Sequence, residues 1–371
     1  MAGAWIEGKP VALAAAAAEA ARLLALSRMP VIAELCTDIA GARAAIALAD
    51  RVGGAIDHMH SDALLRDLDV MRESGMMITT PSEARLRGDV LLLIGEGLST
   101  AWPDLTRRLI AAPLAPELTA GARRIVWLCP GGDRPGDKTI RVIGGNPREL
   151  PALLAALRAR VGGRPAGKAS VSGKTLDTLA ADLKSAKFGV AVWSATDLDA
   201  LTIEMLCGLV KDLNDNTRFT GLPLQPGDNA AGVLQACGWM TGYPMRTGFA
   251  RGYPEHDPWR FDARRLIESG EADCLVYIDI HEQAVSPVYD PAVTTIALGG
   301  PDTVGRDQAQ VRIQVGRPGF DHDAVEYSPD VGTLVHVKAA KPSDAITVAD
   351  AIAAIAAHLP DRGTGHGIWP C

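Results

Sequence analysis

Apolar runs too short to be helices alternate with longer stretches of helical period along most of this chain. That alternation is the signature of βαβ units around a mostly parallel sheet, because each crossover back to a parallel strand needs a covering helix. The runs Pro30–Leu35, Met76–Thr79, Val90–Gly95, Arg124–Leu128 and Thr139–Gly144 are the strand candidates of the first part. Helices are expected over Gly41–Gly54, Pro103–Ala112 and Pro147–Gly163. The last of these runs into GGRPAGKASVSGK, a Gly-, Ser- and Lys-rich segment without apolar period and the best linker in the chain.

Beyond it the alternation restarts: helix Lys174–Lys187, strand Phe188–Trp193, helix Asp199–Leu213, strand Arg218–Leu222, then apolar runs at Cys274–Ile280, Val293–Gly299 and Val311–Gly316. The expected architecture is α/β, with two doubly wound, mostly parallel-sheet lobes over residues 1–163 and 164–318. A C-terminal segment, 319–371, is expected to pack back on the first lobe through a helix at Ser343–His358, capped by Ser343 with Asp344 in its first turn.

A chain of 371 residues is long enough for two such cores. Its net charge of −7 argues against nucleic acid, whose binding rests on Lys and Arg neutralising phosphates. The Ala-rich opening, Val11 to Ser27, is interrupted by Glu19 and Arg22 and reads as a helix, not a membrane span. Cysteines at 36, 129, 207, 237, 274 and 371 are scattered, mostly within apolar runs, as expected of small buried hydrophobes in a reducing, cytoplasmic setting.

Three local patterns could carry chemistry. Gly95 and Gly97 follow a strong strand, as in a dinucleotide turn, but Thr100 stands where a third glycine is wanted and Pro103 interrupts the helix start. His58 and His60 alternate within Asp57–Asp62; on an extended segment they would point the same way and could share a metal, whereas the plainer reading is a polar loop. The other histidines, at 256, 281, 322, 336, 358 and 366, form no second pattern. Arg246 and Arg251 lie in a Gly- and Tyr-rich stretch with Asn229 and His256, a composition suited to an anionic ligand. An irregular loop whose arginines pair with Glu255 and Asp257 accounts for it equally well.

Two longer runs, NAAGVLQACGWMTGYPMRTGFARGYPEHDPWRF (Asn229 to Phe261) and GFDHDAVEYSPDVGTLVHV (Gly319 to Val337), together with GARAAIALADRVGGAIDH (Gly41 to His58), resemble the B subunit of formylmethanofuran dehydrogenase. They resemble more closely its counterpart in the formyltransferase/hydrolase complex, in the same order and over nearly the whole chain. The resemblance implies the molybdopterin oxidoreductase core without its Fe–S domain. The redox members ligate molybdenum or tungsten through a Cys or selenocysteine after the last of these segments; here the sequence reads HMHSDA, with no thiolate. Soft sulfur donors are what such metals require.

The resemblance therefore implies a non-redox, structural subunit with no cofactor, assembled with a formyltransferase, a metal-dependent hydrolase and a further small subunit. In the family, that assembly moves a formyl group from tetrahydromethanopterin to a methanofuran-type carrier and releases formate. A polyglutamylated carrier tail is the anion expected for the Asn229, Arg246, Arg251 and His256 cleft. A pterin- or metal-dependent enzyme and a small-anion-binding protein remain the competing readings.

Overall fold

The computed structural model describes residues 3–103, 105–115, 122–132, 139–167, 169–280, 292–300 and 309–360. The architecture is mixed α/β with mostly parallel sheets, divided into two compact units. Unit 1 comprises 1–61, 228–327 and 334–371, and unit 2 comprises 62–227 and 328–333. The chain thus leaves unit 1 after Ser61 and returns at Asp228, so the units are interleaved rather than sequential. The expected break near residue 163 falls inside unit 2, where helices Leu150–Val161 and Gly173–Lys184 on either side of the Gly-rich segment pack together.

The strands are β1 (Ala4–Ile6), β2 (Lys9–Val11), β3 (Pro30–Cys36), β4 (Ala55–Ile56), β5 (Val90–Ile94), β6 (Arg124–Leu128), β7 (Ile140–Ile143) and β8 (Gly189–Ser194). They continue with β9 (Phe219–Leu224), β10 (Thr247–Gly248), β11 (Glu255–His256), β12 (Cys274–Asp279), β13 (Thr294–Gly299), β14 (Val311–Gln314), β15 (Ala324–Ser328) and β16 (Thr333–Val337). Unit 1 is built on a nine-stranded sheet of order β11-β10-β4-β3-β12-β13-β14-β1-β2. Its centre, β4 through β14, is parallel, and short antiparallel strands finish both edges. A two-stranded sheet pairs β15 with β16.

Both faces of the central strands are buried, which is why they read as unbroken apolar runs. Along β12, Cys274, Val276 and Ile278 enter one core and Leu275 and Tyr277 the other, the period of two that a pleated strand imposes. The first core is closed by helices Leu13–Leu26, Ile39–Val52, Ala230–Thr241 and Val348–Ala356. The second is closed by Ala263–Glu268.

Unit 2 carries a wholly parallel sheet of order β7-β6-β5-β8-β9, with Val90, Leu92 and Ile94 on one core and Leu91 and Leu93 on the other. The order reverses at β5, between β6 and β8, where open α/β sheets commonly leave a crevice at their carboxyl ends.

Three local expectations are corrected. Met76–Thr79 is not a regular strand: Ile78 makes a single parallel bridge to Gly221 at the outer edge of β9. The Pro103–Ala112 helix is replaced by the short helix Leu98–Ala101, which Pro103 stops because it has no N–H to continue the turn, and by one wide turn at Thr106–Ile110. The C-terminal helix begins at Val348, not Ser343. Thr347 and Asp350 form a reciprocal capping box, while the Ser343 hydroxyl donates to Asp321 at 2.9 Å.

Among the described residues no helix is long and apolar enough to cross a membrane. The five described cysteines are all buried and free, and Cys371 lies outside the described residues.

Candidate functional site

In unit 1 the carboxyl ends of β3 and β4 gather an unusual amount of backbone strain. Of the seven non-glycine residues with positive φ among the described residues, five belong here: Glu34, Leu35, Asp228, Asn229 and Arg246. Each costs on the order of 1 kcal/mol, so the surrounding bonds must over-determine them. The pair Glu34–Leu35 interrupts β3, and the β3–β12 register shifts opposite it between Tyr277 and Asp279 before pairing resumes at Cys36. The Glu34 carbonyl, turned aside, accepts from the Met59 N–H at 3.3 Å.

Asp57 continues β4, its N–H donating to the Ile32 carbonyl. Its buried carboxylate accepts from the His58 N–H at 2.8 Å, the Ala263 N–H at 2.9 Å and the Arg246 Nε at 3.4 Å. Burial pushes this carboxyl up to about 6, while Arg246, Ala263 and Ser61 pull it back. The Arg246 guanidinium also pairs with Asp262 at 2.6 Å and donates to the Pro258 carbonyl at 3.0 Å. It is a clamp joining β4, the loop before Ala263–Glu268 and β10.

His58 and His60 do come together, but not as alternate residues of an extended strand. They flank a tight turn into helix Ser61–Ser74, with ring centroids 5.7 Å apart. The His60 N–H donates to His58 Nδ1 at 3.0 Å, so His58 is protonated at Nε2, which faces the Asp228 carbonyl at 3.2 Å. His60 Nε2 meets the Asp228 carboxylate at 2.8 Å. Among the described residues no three or more His, Cys, Asp or Glu side chains form a metal-holding group. His322 and His336 associate instead with Asp323, and His281 and His366 lie outside the described residues.

Asn229 bridges two segments of unit 1. Its amide donates to the Thr37 carbonyl at 2.7 Å and accepts from the Tyr327 N–H at 2.8 Å. A Cβ at Gly232 would collide with its carbonyl oxygen, which explains the glycine of NAAG. His256 Nδ1 faces the Arg246 carbonyl at 3.1 Å and its ring stacks on Tyr243. Arg251 stands apart, exposed and paired with Glu255 at 3.2 Å. Of the four residues grouped from sequence, only His256 and Arg246 touch directly, Asn229 is engaged with Thr37 and Tyr327, and Arg251 presents its charge to solvent. Asp228 and Tyr327 escaped the sequence reading, because each is placed by a contact across nearly 100 residues or more, or by a strained backbone, and the adjacency of Asp228 to Asn229 was the sole hint; Asp262, the cap of Ala263–Glu268 and partner of Arg246 sixteen residues away, was also missed.

Cys36 lies within electrostatic reach of Asp228 in this cluster. Burial, and then Asp228, Asp279 and Glu326, push it well above the usual thiol range, so it is a protonated thiol rather than a thiolate. Hard carboxylates and imidazoles dominate the donor set.

In unit 2 the Gly95–Gly97 turn sits at the strand-order reversal, with the Trp127 indole donating to the Gly95 carbonyl at 2.7 Å. Asp197 occupies the space beside Gly97, and Glu96 the space beside Gly131. Carboxylates against the turn repel the phosphates a dinucleotide would bring.

No protein-family model matches the chain. It is 32% identical over 369 residues to the B subunit of the Fhc formyltransferase/hydrolase complex of Methylorubrum extorquens, covering 98% of this chain and 99% of that protein. It is 28% identical over 270 residues to the B subunit of the tungsten-containing formylmethanofuran dehydrogenase 2 of Methanocaldococcus jannaschii, spanning 62% of that protein. The fold matches a chain in the crystal structure of the FhcABCD complex from Methylorubrum extorquens with methylofuran, at a TM-score of 0.86 and 31% identity, covering 95% and 97% of the two chains. The chain belongs to the family of Fhc B subunits of formyltransferase/hydrolase complexes, related to the B subunit of formylmethanofuran dehydrogenase.

Proposed function

We propose that this chain is the non-redox B subunit of a formyltransferase/hydrolase complex acting in one-carbon metabolism. Its partners are a formyltransferase, a metal-dependent hydrolase and a further small subunit. The complex passes a formyl group from tetrahydromethanopterin to a methanofuran-type carrier and releases it as formate. The full-length relationship supports the place in the assembly.

The observation that carries the non-redox part is the donor set around Asp57. The family's redox members need a thiolate after this segment, and here His58, Met59, His60 and Ser61 follow Asp57, while Cys36 is held protonated. These residues do not fit a thiolate-ligated pterin metal. The two parallel-sheet units represent, in this reading, a molybdopterin oxidoreductase core that keeps its packing and has lost its metal chemistry. Asp57, Arg246 and Asp262 use the site's ionic groups to fasten the fold.

A carboxylate-rich carrier tail would meet Arg251 first, since Arg246 and Asn229 are already engaged. Replacing Arg251 with Ala in the assembled complex and measuring retained carrier tests that contact. Reduced retention supports it, and unchanged retention removes it. Metal and pterin analysis of the purified complex tests the non-redox reading, which a stoichiometric pterin on this chain would overturn.

A further inference from the structure

Exposed large apolar side chains gather in one stretch of unit 1: Trp239, Met240, Tyr243, Tyr253 and Trp259. Trp239 and Trp259, at 64% and 70% exposure, are unusually open for indoles. At about 200 Å² per aromatic side chain and roughly half exposure, the five leave on the order of 500 Å² of apolar surface. That is comparable to the largest patch a monomeric protein leaves open and to the core of a standard interface of roughly 800 Å² per partner.

Two of these side chains are also held in place. Tyr243 stacks on the His256 ring, and the Arg265 guanidinium lies 4.4 Å from the Trp259 ring centroid. Fixed aromatic anchors bind without a large ordering cost. From residue 239 to 265 there are five arginines and no lysine, the composition enriched at interface cores.

The charge points to the kind of partner. That stretch holds five arginines against three acidic residues in a chain of net charge −7; Arg246 is paired with Asp57 and Asp262, Arg251 with Glu255 and Arg265 with Glu271. Arg260 and Arg264 are exposed and make no ion pair among the described residues. Beside Trp259, a groove of about 370 Å³ is lined by Arg264, Arg265, Pro258 and Glu268. A second copy of this chain would bring guanidinium against guanidinium.

We infer that this face docks another protein of the assembly, one presenting an apolar surface that carries carboxylates, with an acidic side chain seated beside Trp259 and Arg264. The inference rests on the subunit reading above and names a surface for it. Hydroxyl-radical footprinting, comparing the isolated chain with the assembled complex purified through a tag on this chain, reads oxidation of Trp239, Tyr243, Tyr253 and Trp259. The expected result is strong protection of these four in the complex and none in the isolated chain. The double variant Arg260→Glu/Arg264→Glu should fold as the parent does and weaken assembly by about tenfold or more.

Equal oxidation in the two samples overturns the docking surface and leaves the subunit reading intact. Protection already present in the isolated chain overturns it in favour of self-association. A tagged chain that purifies alone, by native mass, overturns the subunit reading itself.

Discussion

The Asp57 carboxylate and the Arg246 guanidinium lie 3.4 Å apart, with side chains only 7% and 12% exposed, so losing Arg246 strands the buried Asp57 carboxylate, whereas Arg246 also holds Asp262 at 2.6 Å. Removing one member of a buried ion pair typically costs about 3–5 kcal/mol, largely the penalty on the orphan. Arg246→Ala should therefore lower stability by about that much in urea unfolding. The double variant Asp57→Asn/Arg246→Met should cost clearly less than the sum of the two single changes. An Arg246→Ala protein as stable as the parent would show that this arginine serves a ligand rather than the fold.

Asp67 gives a pH signature in unit 2. Its carboxylate accepts from the buried Trp193 indole at 3.0 Å, and burial pushes it up from 3.8 to about 6, with Trp193 and Arg66 opposing. A carboxyl raised on folding takes up a proton as the chain folds. Its contribution to stability is therefore greatest below about pH 4 and declines as pH rises through 6. Asp67→Asn keeps the acceptor oxygen and removes the titration, so it should flatten that decline. It should also stabilise at pH 7 by at most about 3 kcal/mol. Melting temperatures across pH 4 to 8 check both points.

Gly232→Ala should act through Asn229. The added methyl would be driven into the Asn229 carbonyl oxygen that accepts from the Tyr327 N–H. A cost of about 1–3 kcal/mol is expected. Asn229→Ala leaves the Tyr327 N–H and Thr37 carbonyl without their partner and should cost a similar amount. Because the two changes break the same bridge, their effects should be far from additive in a double-variant unfolding cycle.

Thr347→Ala removes half of the capping box at the start of Val348–Ala356 and should cost about 1 kcal/mol, whereas Ser343→Ala should leave that helix unchanged. Amide hydrogen exchange over residues 348–356 separates the two. Faster exchange in the Ser343 variant would restore the earlier start.

Much of the fold was legible because parallel strands are buried on both faces and announce themselves as apolar runs: VLLLI and CLVYID could be read directly. The division into units was not. It depends on β3 lying between β4 and β12, and strand order leaves no trace in local composition. Likewise His58 and His60 could be picked out, but the Asp228 that receives His60 could not, because its place is set by two consecutive left-handed residues after β9. Ser343 was a reasonable cap by residue type and lost to Thr347, whose partner Asp350 three residues on supplies the second half of the motif.

Native mass spectrometry of the complex isolated through a tag on this chain tests the central claim most directly. The expected spectrum is that of a hetero-oligomer from which this chain dissociates at the mass of its polypeptide, with no pterin, Fe–S or molybdenum or tungsten mass attached. A chain that flies alone, or one that carries a pterin metal group, would contradict it.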